Sequence, residues 1–192
     1  YESPAGLFQD WTAQHVSLQS TTRVVRVYPM STGATAAERS FLQRAAEKEF
    51  TVLQNLLHEG IVLAESFTQH ELGPAIVFRL PPGAQRLDHF MTERGERLTV
   101  TTRLEVLRQI GEALQFAHGR KVVHRALSPQ SVLVLDPDAP IPRVQIFNWQ
   151  LWRRSSSTAT AGSTRLTATL HAGQLVEDAS AIYLAPEAQR DP

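Results

Sequence analysis

Cysteine is absent from the 192 residues. That excludes disulfides and thiolate metal sites and leaves the compartment unmarked. Lysine is nearly as scarce, with Lys48 and Lys121 the only two. Neither sign of charge is in excess, since 19 basic residues balance 19 acidic ones. A broad electrostatic grip on nucleic acid or an anionic membrane is therefore not expected. The seven histidines are scattered, with no pair at metal-ligand spacing on a helix. Long apolar runs, a signal-peptide pattern and internal repeats are also missing, so the chain reads as a soluble, cytoplasmic protein. What is present is 42% apolar content, enough for a core in one domain or two small lobes. A start at Tyr1 rather than Met and an end on Asp191-Pro192 point to a segment of a longer protein.

The periodicities predict a compact set of elements. Arg23 to Tyr28 alternates and is rich in valine, as a strand would be. Thr35 to Leu57 reads as a helix, opened by the capping box Thr35-Ala-Ala-Glu38 and carrying an apolar stripe of Leu42, Ala45, Phe50, Leu53 and Leu57. Ala75 to Leu80 is a short apolar strand that runs into Pro81-Pro82-Gly83. Thr99 to His118 is a second helix, with Thr102 to Glu105 as its capping box and Gly119 as its stop. Its buried stripe would be Leu104, Leu107, Gly111, Leu114 and Ala117. Strands at Val132–Leu135 and Arg143–Phe147 follow, joined by a turn through Asp136 to Pro140, and Ser155 to Thr169 reads as a flexible Ser/Thr-rich loop.

Six short motifs lie on these elements in order. They are Pro4-Ala-Gly6-Leu-Phe-Gln9, Val24-Val-Arg26-Val27, His58-Glu-Gly-Ile-Val62, His124-Arg125-Ala126-Leu127-Ser128-Pro129-Gln130-Ser131, Asn148-Trp149-Gln150 and Ala185-Pro186-Glu187. Together they resemble the glycine loop, the V-A-I-K strand, the H-P-N-I-V turn, the catalytic loop, D-F-G and A-P-E of eukaryotic-type Ser/Thr protein kinases. More narrowly, the run from His124 to Val134 with Asn148-Trp149-Gln150 resembles the large kinase-like proteins of bacterial phage-growth-limitation (BREX-type) defence systems.

The resemblance implies an α+β, protein-kinase-like bilobal fold. Residues 1–80 would form a small β-rich N-lobe with helix C, and residues 81–192 a truncated helical C-lobe ending at A-P-E. It also implies a nucleotide site at Gly6, Arg26, Glu49, Phe78, Arg79, Leu80, Pro81, Leu133 and Asn148. Counting back from His58 puts Glu49 in the helix-C glutamate position, so an Arg26–Glu49 pair is expected. The alternative for Arg26 is an exposed strand residue. Phe78 would be the gatekeeper, and Pro81, which has no N–H, would remove one hinge donor. His124, Arg125, Trp149, Ser180 and Glu187 would be regulatory positions: His124 packed under the activation segment, Arg125 binding an acidic or phosphorylated loop residue or else loop carbonyls, and Trp149 with Trp152 wedged into the cleft.

The positions that carry phosphoryl transfer in that family are the ones that differ. Ala126 stands for the catalytic Asp, Ser128 for a phosphate-contacting Lys, Ser131 for the magnesium-binding Asn, Asn148 for the D-F-G Asp and Arg26 for the lysine. No catalytic residue and no metal site are expected, ATP remains an open ligand, and Mg2+ is disfavoured because hard cations prefer anionic oxygen. The leading expectation is a pseudokinase that regulates or scaffolds other domains of the same polypeptide and protein partners. A divergent active Ser/Thr kinase and an ATP-binding sensor without turnover are the alternatives.

Overall fold

The computed structural model describes residues 8–14, 22–149, 153, 154 and 183. A four-stranded antiparallel sheet forms the first half. Strands β1 (Gln9–Gln14), β2 (Thr22–Val27), β3 (Leu63–His70) and β4 (Gly73–Arg79) lie in the order β1-β2-β4-β3. Register sets the site from here, because Asp10 lies opposite Arg26 and Val24 opposite Phe78. Strand β3 has a weak signal of its own, with polar residues along most of its exposed end, and sequence reasoning missed it. The tight turn into β4 needs Gly73, whose φ is 148° and whose added Cβ would lie 2.2 Å from the Tyr28 carbonyl oxygen.

Helix α1 (Ala36–Asn55) packs on this sheet. Its capping box is formed as the sequence predicts: Thr35 Oγ1 accepts the Glu38 N–H at 3.2 Å, and the Glu38 carboxylate takes the Thr35 N–H at 2.7 Å. Ala45, Ala46, Glu49, Val52 and Leu53 are buried. The predicted helix ran two residues too far, since it ends at Asn55, Leu56 is buried and Leu57 is exposed.

The second half is mainly helical. It contains β5 (Gln85–Arg86), α2 (Leu87–Arg94), α3 (Val100–Gly119), β6 (Val122–Val123), β7 (Val132–Val134), β8 (Val144–Ile146) and β9 (Arg153–Arg154). Strands β5, β7 and β8 form one small sheet, and β6 pairs with β9. Two expectations for α3 are corrected. Its N-cap is Thr99, which accepts the Thr102 N–H at 3.1 Å, so Thr102 sits in the first turn. Its end is set by Arg120 and the left-handed Lys121 (φ 60°), not by Gly119.

The buried face of α3 matches the predicted one only at Ala117, with Leu114 partly buried against the core. Thr102, Val106, Ala113 and Ala117 point inward, Leu104 and Leu107 are exposed, and Gly111 faces open space. One apolar core joins the two halves, running from Tyr28, Leu53 and Phe78 through Ile61 and Ile146 to Ala113, Ala117 and Trp149. This is the bilobal α+β arrangement that the resemblance implies.

Candidate functional site

Strand β2 ends buried, and its alternation turns Arg26 inward against α1 and β1. The side chain is 1% exposed, which sets aside the reading of Arg26 as an exposed strand residue. A buried guanidinium needs partners for its charge and its fork of donors. Asp10, directly across the ladder, takes Nε and Nη2 in two parallel bonds of 2.8 Å. Glu49 of α1 takes Nη1 at 3.1 Å. The Phe8 ring lies against the guanidinium, 3.8 Å from ring centroid to Cζ, and the rings of Phe78 and Phe147 lie 5.5 and 5.7 Å away.

The pair of carboxylates decides the electrostatics. Burial works against the charge on Arg26, but Asp10 and Glu49 outweigh it and hold the arginine above its ordinary pKa. Tyr28 donates its hydroxyl to Glu49 Oε2, and burial, with that anion beside it, pushes the phenol well above its usual value. Glu49 Oε1 also accepts the Trp149 backbone N–H at 3.2 Å. One fully buried carboxylate thus ties together β2, α1 and the segment after β8. Asp10 was missed in the sequence. Its signal lies in strand register, which a lone Asp beside Trp11 does not disclose.

The loop after β6 is built from its own side chains. Ser128 N–H donates to Ser131 Oγ at 2.9 Å, and Ser131 Oγ donates to the Ser128 carbonyl oxygen at 2.9 Å. Both serines are buried. His124 is buried too, with Nε2 at 2.8 Å from the Phe147 carbonyl oxygen and Nδ1 accepting the Ala126 N–H at 3.3 Å. Its ring meets Trp149 edge-on at 4.7 Å. Trp149 is fully buried in the shared core and donates Nε1 to the Ile146 carbonyl oxygen at 3.3 Å. Arg125 (φ 71°) and Asn148 (φ 62°) bracket this region in left-handed conformations, which Asn tolerates better than Arg.

The structure brings Arg26, Glu49, Phe78, Trp149 and His124 into one connected group. Asn148 stands in the chain between Phe147 and Trp149. Ser131 is linked to the group through its carbonyl oxygen, which accepts the Phe147 N–H at 3.0 Å. Leu133 is buried in β7 between Arg86 and Gln145 of the neighbouring strands. Arg79 turns to Glu65 instead, Leu80 is half-buried, and Pro81 is exposed in the turn where its carbonyl oxygen accepts the Ala84 N–H. Gly6, Trp152, Ser180 and Glu187 lie outside the described residues, as does the Ser155–Thr169 loop.

Two of these positions are engaged by groups of the chain itself. The guanidinium in the lysine position is held by two carboxylates, and the hydroxyl in the place of a metal-binding amide is turned into its own loop. Ala126 carries no proton acceptor, and no group of three or more His, Cys, Asp or Glu suited to a metal occurs among the described residues.

Comparison with known proteins places the chain. Residues 12–170 match the family described as protein tyrosine and serine/threonine kinase. The chain is 34% identical to the probable kinase PglW of Streptomyces coelicolor over 196 residues, covering 93% of this chain and 12% of that protein. It is 23% identical to mouse death-associated protein kinase 2 over 116 residues, covering 60% of this chain and 31% of the relative. The chain thus spans a small part of the length of both relatives. The PglW match accords with the narrower resemblance read from the His124–Val134 run. The chain belongs to the protein tyrosine and serine/threonine kinase family.

Proposed function

We propose that this chain is a catalytically impaired kinase domain, a pseudokinase, that serves as a regulatory or scaffolding module of a longer protein. The observation that carries the reading is the closed Asp10–Arg26–Glu49 cluster. Phosphoryl transfer depends on placing cations around the phosphates and orienting the attacking hydroxyl. Here the one buried cation at that position is already matched by two anions, and Ala126 offers nothing to orient a hydroxyl. What the fold keeps is rigidity, because Glu49 fastens α1 to Trp149 and His124 fastens the Ala126 loop to Phe147. A rigid, inert lobe pair suits docking against other domains of the same polypeptide or against protein partners. The similarity to PglW and the resemblance of the His124–Val134 run to phage-growth-limitation proteins support a place in bacterial phage defence. No described helix is long and apolar enough to cross a membrane.

Thermal unfolding with and without ATP, each with and without magnesium, tests this together with a phosphoryl-transfer assay. A ligand at a hundredfold its dissociation constant raises the midpoint of a domain this size by roughly 5–10 °C. No shift and no transfer are expected. A magnesium-dependent shift with transfer that is lost on changing Asn148 would make the chain an active kinase. A metal-independent shift without transfer would make it a nucleotide sensor.

A further inference from the structure

We infer that Asp10 is a built-in anion that occupies Arg26 and keeps phosphate-bearing ligands out of the site. The inference deepens the pseudokinase reading and rests on it. A guanidinium recognises carboxylate and phosphate through the same feature, two anionic oxygens spaced to meet a planar fork of N–H donors. Arg26 makes that contact with its own chain: Nε to Oδ1 and Nη2 to Oδ2 of Asp10, both at 2.8 Å. The third nitrogen is engaged by Glu49. All three nitrogens of the fork therefore point at carboxylate oxygens.

The rest of the cluster makes the contact persistent. Asp10 is held in register by the β1–β2 ladder directly opposite Arg26, so its carboxylate is delivered by backbone pairing and not by a flexible tether. Phe8, two residues earlier, is buried with its ring against the guanidinium face and packs on Tyr28, closing the stack from one side. The Asp10 side chain is 14% exposed while that of Arg26 is 1% exposed. An anion arriving from solvent therefore meets the carboxylate before the cation. Like charge repels it, and it would have to break a bidentate pair in a desolvated setting to replace it. Glu49 contributes to the charge balance but belongs to the α1 anchor, also receiving Tyr28 and the Trp149 N–H. Asp10 is the removable partner.

The test uses inorganic tripolyphosphate and ATP, without metal, against the full chain and three variants. Asp10→Asn keeps the shape and removes the charge. Asp10→Thr also removes the charge, with a shorter, β-branched residue suited to a strand. The double variant Asp10→Asn with Arg26→Gln removes the receiving cation. Midpoint shifts and calorimetric titration are the readouts. The wild type is expected to show no binding at millimolar tripolyphosphate. Each single variant should gain at least a tenfold increase in affinity and several degrees of ligand-induced midpoint shift, and the double variant should lose both. Folded single variants that remain indifferent to tripolyphosphate would overturn the role of Asp10 while leaving the pseudokinase reading intact. Magnesium-dependent phosphoryl transfer by the wild type would instead overturn that reading. A third readout needs no substitution: the Arg26 Nε–H resonance of the wild type should stay in place during a tripolyphosphate titration. Movement of that resonance would show that Asp10 does not hold anions off, whatever the variants do.

Discussion

The two ring nitrogens of His124 have different tasks. Nδ1 accepts the Ala126 N–H, so it must be bare, and Nε2 carries the proton that meets the Phe147 carbonyl oxygen. A second proton would break the Ala126 contact and put a charge beside Trp149 in the core. Burial therefore pushes the imidazole down to about 4, with the Phe147 bond opposing the shift only in part. The sign of the consequence is fixed. Between pH 6.5 and 4 the unfolded chain binds the proton and the folded one does not, so stability is full above 6.5 and falls as pH drops through that window. The loss amounts to about 3 kcal/mol for this one group. Urea midpoints from pH 7 to 4 should show it, and His124→Phe, though less stable at pH 7, should give a flatter profile across the same range. A profile no flatter in the variant would assign the acid sensitivity to other groups. A structural role for His124 was expected only through the family resemblance, and most of the activation segment expected over it lies outside the described residues. Of the two anions against Arg26, Glu49 was expected and Asp10 was not, since Asp10 depends on which strand residue lies opposite.

At the scale of elements, α1 was readable and α3 was readable only in part. Helix α1 announces its start with a side chain on each side of the cap, and Arg44, Glu47 and Thr51 mark its outward side. Helix α3 carries apolar residues around most of its circumference, with Leu104, Leu107, Leu114 and Val106, Ile110, Ala113, Ala117 forming two overlapping stripes. Periodicity cannot choose between them. Close approach does, because Ala113 and Ala117 are small enough to let α3 lie against the Gly60 turn, while a leucine in their place would hold it off. The consequence is opposite in sign to a hydrophobicity ranking. Leu104→Gln, at a site 60% exposed, should change the unfolding free energy of the chain by less than about 0.5 kcal/mol. Val106→Ala, at 7%, should cost about 2 kcal/mol. Denaturant titration of both variants checks the assignment, and a Leu104 cost above that of Val106 would restore the predicted stripe.

For the whole molecule, the shared core matters more than the division into lobes. Residues from the four-stranded sheet, α1, α3 and β8 meet in one cluster around Trp149, and the Ile61–Ile146 bridge, with the Val62 N–H and Ile146 N–H bonds beside it, stitches the halves through the backbone. A chain whose halves cannot bury their apolar surface separately should unfold in one transition. Circular dichroism and tryptophan fluorescence are expected to give the same urea midpoint, and two separated midpoints would mean independent lobes. Two glycines make the test sharper. A Cβ on Gly60 would lie 2.9 Å from the Ala113 Cβ, well inside ordinary carbon contact, at the junction of the halves. Gly60→Ala should therefore cost about 1–3 kcal/mol and move both probes together. Gly111, two residues before Ala113 and so on the opposite, open side of α3, has nothing within 4 Å of an added Cβ. There the same substitution should stabilise the chain by about 0.5–1 kcal/mol, because alanine gives up less backbone freedom in a helix. Opposite signs from identical changes can arise only if α3 presents its Ala113 side, and not its Gly111 side, to the other half of the molecule.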